Sequence, residues 1–273
     1  MDTLRIATWN LLHPAGGELG ERLETATEVL RGVGADVICL QESWQGAREH
    51  LADELGMVIH AASDGNDCAI LSKLPYAATD EVELPHHGSQ GNAAIVTLRS
   101  DSGRLWNIVS AHLAWGGHTE AARHLQAALI EQAAARAEES QPGSVTVLAG
   151  DFNCGPSSST VRYLTGLDAH TDGSSTVWID TWSYCGRGNG DGGVNGATVL
   201  PSNPLAAATA LLVGIVDPAK LPDRRIDYVM VRGWVYGRPG CPNDVRVFGS
   251  ELAPRYASDH EGIVVDLWDP ALH

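Results

Sequence analysis

The sequence predicts a mixed α/β protein built on packed β-sheets, and three observations carry that expectation. Short apolar runs bounded by turn residues recur along the whole chain. Helical periodicity fills only some of the gaps between them. No internal repeat and no interdomain linker interrupts the pattern, so residues 1–273 are read as one domain.

Taken in order, the strand candidates are "LRIATWN", "DVICLQE", "CAILS", "AAIVTLRS", "LWNIVSAHL", "VTVLAGDFN", "IDYVMVRG", "VRVFGSEL" and "GIVVDL". Each is a short apolar run, and most lie beside turn-forming residues. Between the first two, "GERLETATEVLRG" sets Leu23, Ala26, Val29 and Leu30 on one helical face. After "SAHL", "GHTEAARHLQAALIEQAAARAEES" is Ala-rich, with Leu125, Leu129 and Ile130 in register. "SSTVRYLTGL" is a shorter third helix. Two stretches break the pattern. The Gly-rich "CGRGNGDGGVNG" (185–196) has neither a Walker-type Lys nor calcium-loop acidic spacing and reads as a surface loop. The proline-bracketed apolar insertion at 200–223 reads as a short helix over the sandwich edge, or as a loop near the site.

Composition narrows the function. The formal charge is −16, from 18 Lys plus Arg against 34 Asp plus Glu. A chain that grips a long polyanion shows a basic stripe, and none is present, so nucleic acid is a possible but disfavoured partner. No window approaches the ~18 uninterrupted apolar residues of a membrane helix, and no basic-then-apolar leader opens the chain, so membrane insertion is not expected and the cytoplasm is the expected location. The five cysteines are scattered and form no CxxC or CxxH pair, which favours buried free thiols.

Several apolar runs end in residues that do chemistry. Alternate side chains of a strand share a face, giving the rows Ile6-Thr8-Asn10, Ile38-Leu40-Glu42, Ile108-Ser110-His112 and Val145-Val147-Ala149-Asp151-Asn153. Each row, read as inward-facing, terminates in Asn, Glu, His or Asp. Singly, such residues are turns, caps or satisfied core polar groups, and Asp227 is an obvious partner for Arg225. Together with Asp259-His260, placed just before "GIVVDL", they suggest a site at one rim of the sheets.

"TWNLL", "DVICLQE", "SAHL", "GDFN", "RIDYVMV" and "SDHEGIVVDL" occur in the order found in the endonuclease/exonuclease/phosphatase superfamily, and the chain resembles that superfamily from Ile6 to Leu267. Arg123 and Gln126, in the helix after "SAHL", also look like the family. The resemblance implies a four-layer α-β-β-α sandwich of two packed mixed sheets flanked by helices. It also implies one or two divalent ions, Mg²⁺ with Mn²⁺ possible, where the sheets open.

Hydrolysis of a phosphoester needs charge neutralisation, an aligned nucleophile and relief of the leaving oxygen. On that reading Glu42, Asn10 and Asp259 hold the metal. Asp151 orients or deprotonates water, Asn153 and His112 donate to phosphate oxygens, and His260, oriented by Asp227, is general base or phosphate clamp. Whether Asp151 or His260 is the base stays open.

The chain also departs from the family. Leu12 stands where abasic-site endonucleases carry an acidic residue, and the Tyr, Glu and Arg of deoxyribonuclease-like members are unmatched around "DGNDCAILS" and "SQGNAAIV". Asp67, His86, His87 and Gln90 are read as loop residues rather than substitutes. Trp44 and Trp115 either flank the cleft or pack on a helix and the sheet, while Trp182 belongs to the core. The expected function is a metal-dependent hydrolase of phosphoester bonds, a phosphodiesterase acting on a compact nucleotide-like or lipid-like substrate. The alternatives are a DNA or RNA nuclease, a small-molecule phosphomonoesterase in a biosynthetic pathway, and a catalytically silent binding module.

Overall fold

A computed structural model describes all residues except 1, 14–18, 62–66, 81, 83, 85–91, 187–195, 253–254 and 272–273. The Gly-rich loop, His86, His87 and Gln90 therefore lie wholly or largely outside the described residues.

The strands are β1 (Thr3–Asn10), β2 (Val37–Gln41), β3 (Val58–Ala61), β4 (Ala69–Ser72), β5 (Tyr76–Asp80), β6 (Asn92–Arg99), β7 (Leu105–His112), β8 (Val145–Asp151), β9 (Trp178–Asp180), β10 (Asp227–Arg232), β11 (Pro242–Phe248) and β12 (Gly262–Trp268). The helices are α1 (Leu19–Val33), α2 (Gln45–Leu55), α3 (Glu120–Ser140), α4 (Ser159–Leu164), α5 (Thr181–Cys185) and α6 (Pro204–Leu212). One sheet has the order β11-β12-β1-β2-β4-β3 and the other β5-β6-β7-β8-β10-β9. Each sheet contains one parallel pair, β1 with β2 and β7 with β8, among antiparallel neighbours. A parallel pair needs a crossover, and helices α1 and α3 lie in those two crossovers.

The side-chain period of two explains the layers. Ile6, Val37, Cys39, Ile108, Val147, Ala149, Val229 and Val265 meet between the sheets. The alternate residues of the same strands face outward. Ala7, Trp9, Ile38 and Leu40 meet Ala26, Val29 and Leu30 of α1 and Leu51 of α2. Val109, Leu148 and Met230 meet Ala127, Ile130 and Ala134 of α3 and Val161 and Leu164 of α4. The result is the expected four-layer α-β-β-α sandwich.

Two expectations need correction. Ile38 and Leu40 face helices, not the inter-sheet core, because β2 is buried on both sides and alternation alone does not say which row points in. Helix α3 buries an alanine face around Gln126 and Ile130, whereas Leu125 and Leu129 are only half-buried. Small side chains let this helix sit close on the sheet.

Strand direction positions the site. β1, β2, β7 and β8 all run toward one rim, while the antiparallel β10 and β12 start there. In β8, Gly150 has φ +150°, and a Cβ placed there would overlap the carbonyl oxygen of Ala111 in β7. That close approach keeps His112 opposite Asp151 in the parallel register. Gly150→Ala is expected to cost more than about 3 kcal/mol, read as a lower urea midpoint at unchanged slope.

Candidate active site

Below the rim, the inter-sheet core turns polar. Thr8 donates to Gln41 Oε1 (3.2 Å), Gln41 Nε2 donates to Ser110 Oγ (3.1 Å), and Ser110 donates to the Leu40 carbonyl (3.2 Å). All three side chains are buried, and their mutual bonds satisfy them. Gln41, not Glu42, therefore continues the inward row of β2. Glu42 reaches the site because the backbone turns there into the left-handed region, φ +51°. Asn153 (φ +52°) and Leu12 (φ +56°) do the same after β8 and β1. Three non-glycine residues in this sparsely populated region, all at one rim, mark it as strained.

Asp151 lies at the centre. Its Oδ1 accepts the backbone N–H of Asn153 (2.8 Å), and its Oδ2 accepts Asn10 Nδ2 (3.1 Å) and Asn153 Nδ2 (3.3 Å). Two imidazoles face the same Oδ2, His112 Nε2 at 3.7 Å and His260 Nε2 at 3.8 Å. Each imidazole is held from behind by a carboxylate. Asp227 Oδ2 lies 2.9 Å from His260 Nδ1, and Asp67 Oδ2 lies 2.7 Å from His112 Nδ1. Asp67, read from the sequence as a loop residue, is thus corrected to a partner of His112. It lies one residue before "CAILS", and only the fold brings β4 and β7 together.

Glu42 is held by Asn10 Nδ2 (3.0 Å) and by the backbone N–H of His13 (2.8 Å). Asn10 turns its amide nitrogen to both Glu42 and Asp151, while its oxygen accepts the N–H of Leu12 (2.9 Å). Asp259 is buried beside His260, 3.4 Å from the Ser258 hydroxyl. Ser258 ties this segment to β1 by donating to the Asn10 carbonyl (2.6 Å), and Trp9 Nε1 donates to the His260 carbonyl (2.8 Å).

Arg22 of α1 was not anticipated. Its guanidinium donates to the carbonyls of Leu11 (2.6 Å), Leu12 (2.8 Å) and Ala257 (2.9 Å), clamping both segments that carry Asn10 and Asp259. No local motif marks it, since a solvent-facing helical Arg looks the same in sequence. Arg225 bonds Asp180, not Asp227. Arg123 and Gln126 hold the turn after β7 through the peptide groups of Ala114 and Gly116. Trp44 packs near α2, Trp182 is in the inter-sheet core, and Trp115 is exposed.

Burial and charge set the protonation. Burial pushes the Asp151 carboxyl upward, and the neighbouring Asp227 charge adds to this against the pull of His260 and His112. Burial pulls His112 down, but the hydrogen bond to Asp67 and the charges of Asp151 and Glu42 outweigh it, lifting it to about 9. Burial also opposes charging of His260, and Asp227 and Asp151 overcome it, raising it well above its ordinary range.

The residues fit a divalent cation. Asp227 Oδ1 is buried without a hydrogen-bond partner among the described residues. Burial and a like charge already disfavour ionised Asp151, so the rim carries surplus negative charge. The donors are hard oxygens, as Mg²⁺ and Mn²⁺ require. Asp151, Asp227 and His260 also each offer an atom within 4.8 Å of the others. Yet His260 Nδ1 is already bonded to Asp227, so this closeness is first that of a His-carboxylate network.

No curated protein matches the chain by sequence. Among solved structures, TDP2 from D. rerio complexed with single strand DNA product superposes with TM-score 0.73 at 19% identity, over 97% of this chain and 98% of that one. An endonuclease/exonuclease/phosphatase from Bacteroides vulgatus gives 0.71 at 17%, over 98% and 99%. The human Nocturnin catalytic domain with bound sulfate anion gives 0.63 at 19%, over 97% and 94%. At these identities the likeness is one of fold. A sequence profile of the Endonuclease/Exonuclease/phosphatase family matches residues 7–260, a span that contains every residue of the rim, and the chain belongs to that family.

Proposed function

We propose that the chain is a divalent-metal-dependent phosphodiesterase acting on a compact nucleotide-like or lipid-like substrate. One observation carries the reading: a single carboxylate oxygen, Asp151 Oδ2, faces two imidazoles that are each backed by a carboxylate. That arrangement suits a phosphate held by two donors beside a base that takes a proton from water.

The protonation states assign the roles. An imidazolium cannot accept a proton, and the surrounding carboxylates lift His112 to about 9 and His260 well above its ordinary range. They therefore donate from Nε2 to phosphate oxygens, and Asp151 is the base. Asn153 and Asn10 hold the Asp151 carboxylate. Asp227 and Asp67 accept from Nδ1 and orient the two rings so that Nε2 faces the site. Glu42 and Asp259 would hold the cation, with Asn10 joining them if its amide turns its oxygen inward. When bound, the cation supplies charge neutralisation at the phosphate and at the leaving oxygen.

Two observations favour a compact diester over long nucleic acid. The net charge is −16, and among the described rim residues Arg22 is committed to backbone carbonyls. The nuclease reading remains the competitor, and a family relative of the same fold is known with single strand DNA product.

The test compares bis(p-nitrophenyl) phosphate, p-nitrophenyl phosphate and plasmid DNA, each with Mg²⁺, Mn²⁺ or EDTA. The diester is expected to be cleaved fastest, with all activity lost in EDTA. Cleavage of plasmid alone would transfer the reading to a nuclease, and metal-independent silence on all three would favour a binding module. Glu42→Ala is expected to raise the Mg²⁺ concentration for half-maximal activity at least ~10-fold, measured by metal titration and calorimetry.

A further inference from the structure

The insertion between Thr198 and Arg224 carries a feature that phosphoester chemistry does not use. Its ends are tied to the site. Val199 and Arg224 form an antiparallel bridge, and Thr198 Oγ1 accepts the backbone N–H groups of Ile226 and Asp227 (3.3 Å each). The Thr198 carbonyl accepts the N–H of Glu261 (2.6 Å). Asn203 caps α6 by accepting the N–H of Leu205 (2.9 Å), and its Nδ2 donates to the Ser258 carbonyl (2.9 Å). Ala206 and Ala210, one helical turn apart, are the buried side of α6, and Ala206 packs with Val199 and Ile226. The helix thus rests against the neighbours of Asp227 and His260.

Its far end is apolar and uncovered. Leu211, Leu212, Val213, Ile215 and Val216 are all exposed, Leu212 to 78% and Val216 to 94%. No residue from Pro204 to Val216 is charged. Single exposed apolar side chains are ordinary, but five within six residues are not.

We propose that this tip seats the protein on a neutral lipid surface, so that the adjacent cleft meets phosphodiesters held in that surface. Area, charge and position support this occupant. The tip exposes roughly 500 Å² of apolar surface, so two copies joined through it would bury about 1,000 Å², short of the ~1,600 Å² of a standard interface. A lipid surface needs no matching partner, since each apolar side chain gains on entering it independently. The net charge of −16 and the absence of Lys or Arg in the tip disfavour anionic lipid and leave a zwitterionic surface. The helix that carries the tip is bonded through Asn203, at its other end, to the carbonyl of Ser258, two residues before His260. What is cleaved at the surface rests on the phosphodiesterase reading; the docking does not.

The test is flotation with phosphatidylcholine vesicles, with and without added phosphatidylserine, comparing the parent with Leu212→Ser/Val216→Ser. The parent is expected to float with phosphatidylcholine and less with the serine lipid present, and the double variant to bind at least ~10-fold more weakly. Thermal melting and hydrolysis of soluble bis(p-nitrophenyl) phosphate are expected to be unchanged in the variant. A parent that stays at the bottom, or a variant that floats equally, overturns the proposal. A tip-dependent dimer by light scattering would also overturn it, assigning the tip to a second copy. Flotation without hydrolysis of any phosphoester would uphold the docking while sinking the phosphodiesterase reading.

Discussion

Asp151→Asn is expected to lower kcat on a diester by about 10³-fold while leaving the thermal melting temperature in EDTA unchanged or higher. The two halves of this expectation come from the same burial. Asp151 is buried at the meeting point of Asn10, Asn153, His112 and His260, so loss of its charge removes the proton acceptor and misaligns four groups together. Asparagine also offers one acceptor oxygen where two are used. For stability the sign runs the other way. A carboxyl raised above its ordinary range holds its proton more tightly in the folded state than in the unfolded chain. Ionising it therefore weakens the fold, and the stability held below the unfolded value is lost as pH rises through the folded one. The neutral amide removes that loss. A variant that is inactive and less stable would show Asp151 to be structural, whereas inactivity at equal or greater stability identifies a group kept at the fold's expense for chemistry.

The elements legible in the sequence were those with a strong period and a turn on either side. All nine strand candidates and the three helix candidates formed. The missed ones are short or marginal. β3 and β5 are sheet-edge strands, where one backbone side lacks a partner and apolar alternation is weak. β9 has three residues, and α2 is preceded by Trp44, whose side chain makes no capping hydrogen bond, and buries only Ala47, Leu51 and Ala52. The proline-bracketed insertion reads from the sequence as a short helix or a loop, and the structure forms α6 there, capped by Asn203 with Pro204 in its first turn.

The rim residues were legible because strand ends place them, but their geometry was not always the one that alternation suggests. Glu42 reaches the rim by a left-handed turn rather than by continuing an inward row, and such a turn has no signature in "LQES". Asp67 and Arg22 were invisible for a different reason. Each acts through a contact more than ten residues away, Asp67 on His112 and Arg22 on the Leu11 and Ala257 carbonyls. Such pairings depend on which strands and helices become neighbours.

The second large effect concerns the imidazole on the opposite flank of Asp151. His260→Ala is expected to lower kcat by about 10²- to 10⁴-fold, and Asp227→Asn by less but with a changed pH dependence. His260 is buried, which alone would favour the neutral ring; the Asp227 and Asp151 charges outweigh this and favour the cation. With Asp227 neutral, burial regains weight and the imidazole loses its proton at lower pH. A clamp that must be cationic then fails on the alkaline side. The alkaline decline of the rate on bis(p-nitrophenyl) phosphate is expected to fall at lower pH in Asp227→Asn than in the parent. Stability moves in the same direction. A histidine raised in the folded state contributes below its unfolded value, and that contribution is lost as pH rises through the folded one, so the variant loses it earlier. If His260 were instead the base, it would have to be neutral to act, and lowering its pKa would extend activity toward acid. The direction in which the Asp227→Asn profile shifts therefore separates clamp from base, and with them the two assignments of Asp151.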